Sequence, residues 1–252
     1  MLVDVTPETV QSVIRDTLSR PDRYTRAVTI EDFWGEGESG TTHADVWVDG
    51  GWTQTEAALP GGTVRYSIVG DGQFWLWYGG DRTALSGPAD GHSADLEGQR
   101  IPLYEDVLEL EQDAIAAAGY EEKGGLACIY VETGEDALGY VEKYWVSVDS
   151  GLLVCAEQWK GEELTYRMTS YAVSTDRTLF GLTEFALPDG TVLHTVEAGP
   201  PLFQPQQQEQ PQGDDQFHVV PLQKEEQEDE QEQDIAGVEA VQLEAPKQLA
   251  QS

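Results

Sequence analysis

The stretch from Gly124 to Ser174 constrains the fold more than any other. It reads GGLACIYVETGEDALGYVEKYWVSVDSGLLVCAEQWKGEELTYRMTSYAVS. Val, Ile, Tyr, Trp and Thr are dense, and turn residues break the run at Thr133–Ala137, Asp149-Ser150-Gly151 and Gly161-Glu162. Four antiparallel strands in a meander follow. Folding about those turns sets Cys128 opposite Lys143, Trp145 opposite Cys155, and Cys155 opposite Met168. Alternation then puts Leu126, Cys128, Tyr130, Val141, Trp145, Leu153, Cys155, Trp159, Leu164, Tyr166 and Met168 on one face. The other face takes Ile129, Val131, Tyr140, Tyr144, Val146, Val148, Leu152 and Val154. Both faces are apolar over part of their length, whereas an uncovered antiparallel sheet has one polar face. Such a sheet needs cover on both sides or must curl around something. The face bearing Cys, Met and Trp is read as concave.

The upstream chain extends this pattern. Thr6-Pro7-Glu8 signals a helix start, with Val10, Val13, Ile14 and Leu18 as one apolar stripe before Pro21. Strands are expected over 24–33, 42–48, 52–59, 63–69, 73–78 and 82–86. They are separated by Gly-rich turns with no crossover helix, which argues for an all-antiparallel sheet. The polar segment 87–100 reads as a mobile loop. Helical spacing returns over 103–110, a second helical piece is expected over 113–118, and a short strand over 120–123. Residues 179–194 read as an extended arm docked on the body. From about residue 197 Gln, Glu, Asp and Pro dominate, and few aromatics remain to offset the cost of ordering. The organisation is therefore one domain over 1–196, with a core of 6–174 and an arm of 175–196. An acidic, disordered tail over 197–252 follows it, with weak helix near 235–243.

Charge narrows the function. The formal net charge is −33, from 47 acidic and 14 basic residues. Phosphate would be repelled, so a simple nucleic-acid binder is excluded, and docking on an anionic membrane through a basic patch is disfavoured. The charge serves solubility or admits a cationic partner. No apolar run reaches the length of a membrane helix. Met1-Leu2-Val3-Asp4 has neither the basic nor the apolar region of a signal peptide. That leaves a cytoplasmic chain or one whose leader lies upstream. Cys128 and Cys155 share a face with a strand between them, about 10 Å apart, beyond the roughly 7 Å a disulfide spans. Both are read as free, buried thiols.

The motifs of catalysis are missing. Gly35-Glu36-Gly37-Glu38-Ser39-Gly40 matches G-x-G-x-x-G, but a strand follows it and two Glu would repel a pyrophosphate, so it reads as a hairpin loop. His43, His92, His194 and His218 have no metal-ligand spacing. His92-Ser93-Ala94-Asp95 are neighbours in a loop, not a triad. No catalytic residue, metal site or cofactor is expected, and the chain is read as no enzyme.

The seven tryptophans are mostly expected in the core. Some would line a hollow inside the curved sheet, where lipid or acyl chains are held. Trp75, Trp145, Leu153, Trp159 and Met168 are the residues expected to line it.

The order of elements resembles a known family. A leading helix precedes a meander, then an Ile101-Pro102 loop and helix, then a second meander. In the latter, Tyr144-Trp145-Val146-Ser147-Val148 enters Asp149-Ser150-Gly151-Leu152-Leu153, followed by the hairpin Glu157-Gln158-Trp159-Lys160-Gly161-Glu162-Glu163-Leu164. From Thr6 to Ser174 this is similar to the bacterial lipoprotein-carrier superfamily of LolA, LolB and RseB. The resemblance implies a mainly β fold, an unclosed β-barrel plugged by helices. It also implies a non-enzymatic, monomeric binding protein working outside the cytoplasmic membrane or at the cell surface. Its partner would be a lipid or lipoprotein acyl chain, or a peptide or protein if the chain is a sensor of the RseB type. The chain lacks the leader and lipid-attachment Cys of surface relatives, and no functional residue of the family transfers to it.

Overall fold

A computed structural model describes residues 3–35, 37–89, 101–176 and 180–196. The expected tail, and the part of the expected loop over 90–100, lie outside the described residues.

Two meanders form one curved, unclosed antiparallel sheet. The first is β1 (Arg23–Trp34), β2 (Glu38–Asp49), β3 (Trp52–Ala58), β4 (Val64–Gly70), β5 (Gln73–Tyr78) and β6 (Leu85–Pro88). The second is β7 (Ile115–Lys123), β8 (Leu126–Thr133), β9 (Tyr140–Ser147), β10 (Leu153–Lys160) and β11 (Glu163–Thr169). The short β12 (Val173–Ser174) also pairs β1. The strand order is β6-β5-β4-β3-β2-β1-β11-β10-β9-β8-β7, so the meanders join where β1 meets β11. Thr29 faces Thr169, Ile30 faces Met168 and Asp32 faces Tyr166.

Two helices cover one face. In α1 (Val10–Thr17), Val10, Val13 and Ile14 are buried. The turn of residues 7–9 precedes it, opened by the Thr6 carbonyl accepting from Val10 N–H. α2 (Tyr104–Glu109) buries Val107. Both pack on Val28, Ile30, Ala44, Val46, Ile129, Val131, Tyr144, Val146, Leu153, Ala156 and Met168. Gln11 Nε2 donates to the carbonyls of Val107 and Leu110 at 3.0 and 2.8 Å, tying α1 to α2. Arg20 donates to Gly151 O at 3.0 Å and to Ile14 O at 2.7 Å, and its guanidinium lies 3.6 Å over the Tyr104 ring. Gly151 has φ +66°, and a Cβ there would meet the Ser19 carbonyl at 2.9 Å, so this contact needs glycine.

The opposite face has its own cover. The hairpin of β13 (Glu184–Ala186) and β14 (Val192–Thr195) buries Phe180 and Phe185 with Ile68 and Trp77, against Trp47, Trp52 and Trp75. His194 stacks on Trp52 at 5.3 Å and its Nε2 lies 2.8 Å from Asp49 Oδ2, while Trp47 Nε1 donates to Phe180 O. Farther along this face, Cys128, Trp145, Val154 and Cys155 form a smaller cluster.

The register differs from expectation at three points. Trp145 does lie opposite Cys155. Cys128, however, faces Ser147, not Lys143. The Asp136 carboxylate accepts the N–H groups of Leu138 and Tyr140, which widens the β8–β9 turn. That four-residue shift is even and preserves the faces. Cys155 faces Thr169, not Met168, because an irregularity at Gln158/Trp159 slips β11 by one. A second irregularity between Leu153 and Cys155 turns Leu153 to the side of Val146. Odd slips exchange faces, so Leu153, Tyr166 and Met168 leave the side of Trp145 and Cys155. The helix-covered face is thus the one of Ile129, Val131, Tyr144 and Val146, not the face of the cysteines and Trp145 read as concave. The helix expected over 113–118 is a 3-10 turn at Gln112–Ala114 followed by β7, because pairing with β8 overrides the helical preference of alanine.

Glu157, 6% exposed, anchors the outer face. It accepts from Lys123 Nζ at 3.0 Å, Arg167 Nε at 3.1 Å and Trp159 Nε1 at 3.0 Å. Burial pushes its carboxyl up, but the hydrogen bonds from Lys123, Trp159 and Arg167 outweigh that and hold it below the ordinary value.

Two predictions follow from this packing. Met168 is fully buried at the seam, and Met168→Ala should cost about 2–5 kcal/mol in urea unfolding. A depressed carboxylate stabilises the fold above its unfolded pKa, and that contribution is lost as pH falls through the lower folded value. Glu157→Gln should therefore lose roughly 1.5–3 kcal/mol at pH 7, and its stability should decline less than wild type below about pH 4.5. Parallel declines of the two urea midpoints with pH would refute the second expectation.

Candidate functional site

Alternation along β1 places Tyr24, Arg26, Val28 and Ile30 on the helix-covered face. Across β2, β3 and β4 the register continues Arg26–Val46–Thr55–Ser67 in one row and Tyr24–Val48–Thr53–Val69 in the next. α2 lies over the β1 end of these rows. Between helix and sheet is a hollow of about 480 Å³. Its apolar wall is Val46, Val48, Val69, Ile101, Leu152 and Leu153; its polar groups include Arg26, Arg65, Thr53, Thr55, Ser67 and Glu105.

Arg26 is the unusual member. It is only 4% exposed, and its Nη1 donates to Leu153 O at 3.3 Å. Its Nε has no hydrogen-bond partner among the described residues, and no carboxylate pairs with it there. Burial lowers its pKa, and the nearby Glu105 carboxylate works the other way. An arginine starts so high that it stays charged. Leaving a buried charged donor unmatched costs more than the roughly 1–3 kcal/mol of a neutral one.

A second hollow on the same face, about 460 Å³, has a different character. Asp32, Asp106, Glu109 and Glu142 line it, with Tyr144 and Tyr166. Burial pushes the Asp32 carboxyl up. Burial pushes the Cys128 and Cys155 thiols to about 11, so both are protonated and inert at neutral pH. They sit on β8 and β10 with β9 between them. Among the described residues no group of three His, Cys, Asp or Glu is placed to hold a metal. None of the described helices is long and apolar enough to cross a membrane.

The five residues singled out in the sequence do not share one surface. Leu153 is on the wall of the first hollow. Met168 is on the same face, buried with Ile30 and Ala156 under the helices. Trp75 packs with Trp52 on the opposite face, beneath the β13–β14 hairpin. Trp145 and Trp159 are also on that face, Trp145 with Lys123 Nζ 3.7 Å over its ring and Trp159 bonded to Glu157. Sequence reading passed over Arg26. Its signal was present: a charge at an inward position of an otherwise apolar alternation, between Tyr24 and Val28.

No family model matches the chain, and neither does any curated protein. Similar solved structures include MucB in complex with MucA(peri), at 16% identity and TM-score 0.31, covering 60% of this chain and 49% of that one. A LolA superfamily protein from Nitrosomonas europaea matches at 10% identity and TM-score 0.32, covering 71% of this chain and 99% of that one. A DUF1329 family protein from Desulfovibrio piger matches at 15% identity and TM-score 0.30, covering 67% and 90%. The chain spans about half the length of the MucB chain. The architecture rests on this chain's own strands and their register.

Proposed function

We propose that this protein is a non-enzymatic binding protein that holds an apolar ligand, of the acyl-chain type, between α2 and the sheet. The supporting observation is the hollow of about 480 Å³ walled by Val46, Val48, Val69, Ile101, Leu152 and Leu153. Its size falls in the roughly 300–1,000 Å³ range of small-molecule sites, and it sets an apolar wall against a side bearing arginines, hydroxyls and carboxylates. The lining proposed from sequence is thereby redrawn around Leu153 and the β2–β4 valines. The family resemblance extends the proposal to work outside the cytoplasmic membrane, on a lipid or lipoprotein.

The test is solvent extraction of the purified chain with mass spectrometry, and titration with a polarity-sensitive fatty-acid probe. Saturable binding is expected. Val69→Phe should weaken it about tenfold by filling the hollow, with the sheet spectrum kept; overpacking costs about 1–3 kcal/mol. No extracted apolar molecule and no saturable binding would end this reading.

A second reading, a sensor that takes a peptide, is favoured by the outer edge of β7, which pairs with no strand among the described residues. A peptide added there would complete the strand's hydrogen bonds. Amide exchange across Ile115–Lys123 should then slow when a peptide is bound; unchanged exchange would exclude that mode.

A further inference from the structure

The buried guanidinium of Arg26, with Nε unbonded among the described residues, points to a ligand with a negative charge at one end. We propose that the hollow between α2 and the sheet takes a long-chain carboxylate, its head group on Arg26 and its chain along Val46, Val48, Val69 and Leu153. This rests on the apolar-ligand reading above and adds the head-group chemistry to it.

Three observations carry the inference. Arg26 lines the hollow, is all but inaccessible, and has Nε without a partner among the described residues. A guanidinium presents its N–H groups as a planar fork that fits the two oxygens of a carboxylate. Nη1 is turned to Leu153 O and Nε is enclosed without a partner among the described residues, so a head group entering from the hollow must displace neighbouring packing to pair with it. Second, the row through Arg26 continues into Thr55 and Ser67, whose hydroxyls also line the hollow. The row beside it, Tyr24–Val48–Thr53–Val69, contributes Val48 and Val69 to the apolar wall. A ligand polar at one end and greasy along its length matches both rows. Third, the surrounding charge works against a free anion. The chain carries a net −33, and Glu105 lies near Arg26 at the hollow. A small hydrophilic anion would be repelled during approach. An amphiphile brings apolar burial to offset that repulsion, and then gains the charged pair in a water-poor site.

The test compares four probes of one chain length on the full chain: dodecanoate, dodecanol, dodecyl phosphate and dodecyltrimethylammonium. Each is read by displacement of a neutral polarity-sensitive dye. Dodecanoate should bind about 10- to 100-fold tighter than dodecanol, the range of a hydrogen bond to a charged group, and the ammonium should bind weakest. Arg26→Met should bring dodecanoate to within about twofold of dodecanol, the comparison being made within the variant. Should Arg26→Met fail to fold, Glu105→Gln serves instead. That position is exposed, and removing its charge should raise the affinity for dodecanoate relative to dodecanol about threefold. Equal binding of dodecanoate and dodecanol would overturn the head-group assignment and leave the apolar site standing. Tighter binding of dodecyl phosphate than dodecanoate would also overturn the carboxylate assignment. Failure of all four to displace the dye would remove both this inference and the reading beneath it.

Discussion

The pairing of β1 with β11 is the contact on which the rest depends. About 140 residues separate the two strands, and closing so long a loop costs entropy that only wide burial offsets. The seam supplies it by setting Ile30 against Met168 and Ala156, with α1 packed over them. Without it the chain is two meanders, each with greasy side chains on two faces. With it, there is one ribbon with a common inner side, and a single pair of helices covers both halves. The β-branched and aromatic residues make strands anywhere; the seam makes them one sheet.

Covering that ribbon is divided unevenly, and the division creates the hollow. α1 packs against β8 and puts Val10, Val13 and Ile14 into the shared core. α2 has six residues and spans about 9 Å at 1.5 Å per residue. The four strands from β1 to β4 extend over roughly 14 Å at 4.8 Å per step. The helix is too short to seal them, and residues such as Thr53, Thr55 and Ser67 on the uncovered strands are too small to fill the gap. The other face is closed differently, by the β13–β14 hairpin on the tryptophans and by the Lys123–Glu157–Arg167 group beside the cysteines. That face is packed and ion-paired. The helix-covered face holds one hollow with a largely apolar wall and a buried cation and one that is acidic, while a third, of about 440 Å³, lies beside Thr25, Ala27, Asp45 and Trp47 of the other face.

Much of this was legible in the sequence, for a local reason. Strand alternation, Gly-rich turns and the stripe Val10, Val13, Ile14 are short-range patterns, and they located the strands of both meanders, the first helix and the helix at 104–109. Double-sided greasiness in Phe74–Tyr78 and in the second meander required cover on both sides, which the structure has. The pairing of Trp145 with Cys155 was recoverable because a tight turn at Asp149–Gly151 fixes it.

What sequence could not decide was which side faces in. A face assignment survives an even slip and reverses on an odd one, and the irregularities at Leu153/Cys155 and Gln158/Trp159 are odd. They separated Leu153 and Met168 from Trp145 and Trp159, although all four have the same apolar character in the chain. Arg26 was marked in the sequence by its inward position, but its lack of a partner at Nε among the described residues was not. An arginine on a strand is ordinary until the partners around it are known, and partners come from β2, β10 and α2, far away in sequence. The sequence by itself determined the strands, their turns and the need for two covers, because these depend on neighbours a few residues apart. Only the tertiary structure decided which face holds the hollow and which charge is left unmatched inside it, because both depend on contacts between segments that meet only when the sheet closes on β1.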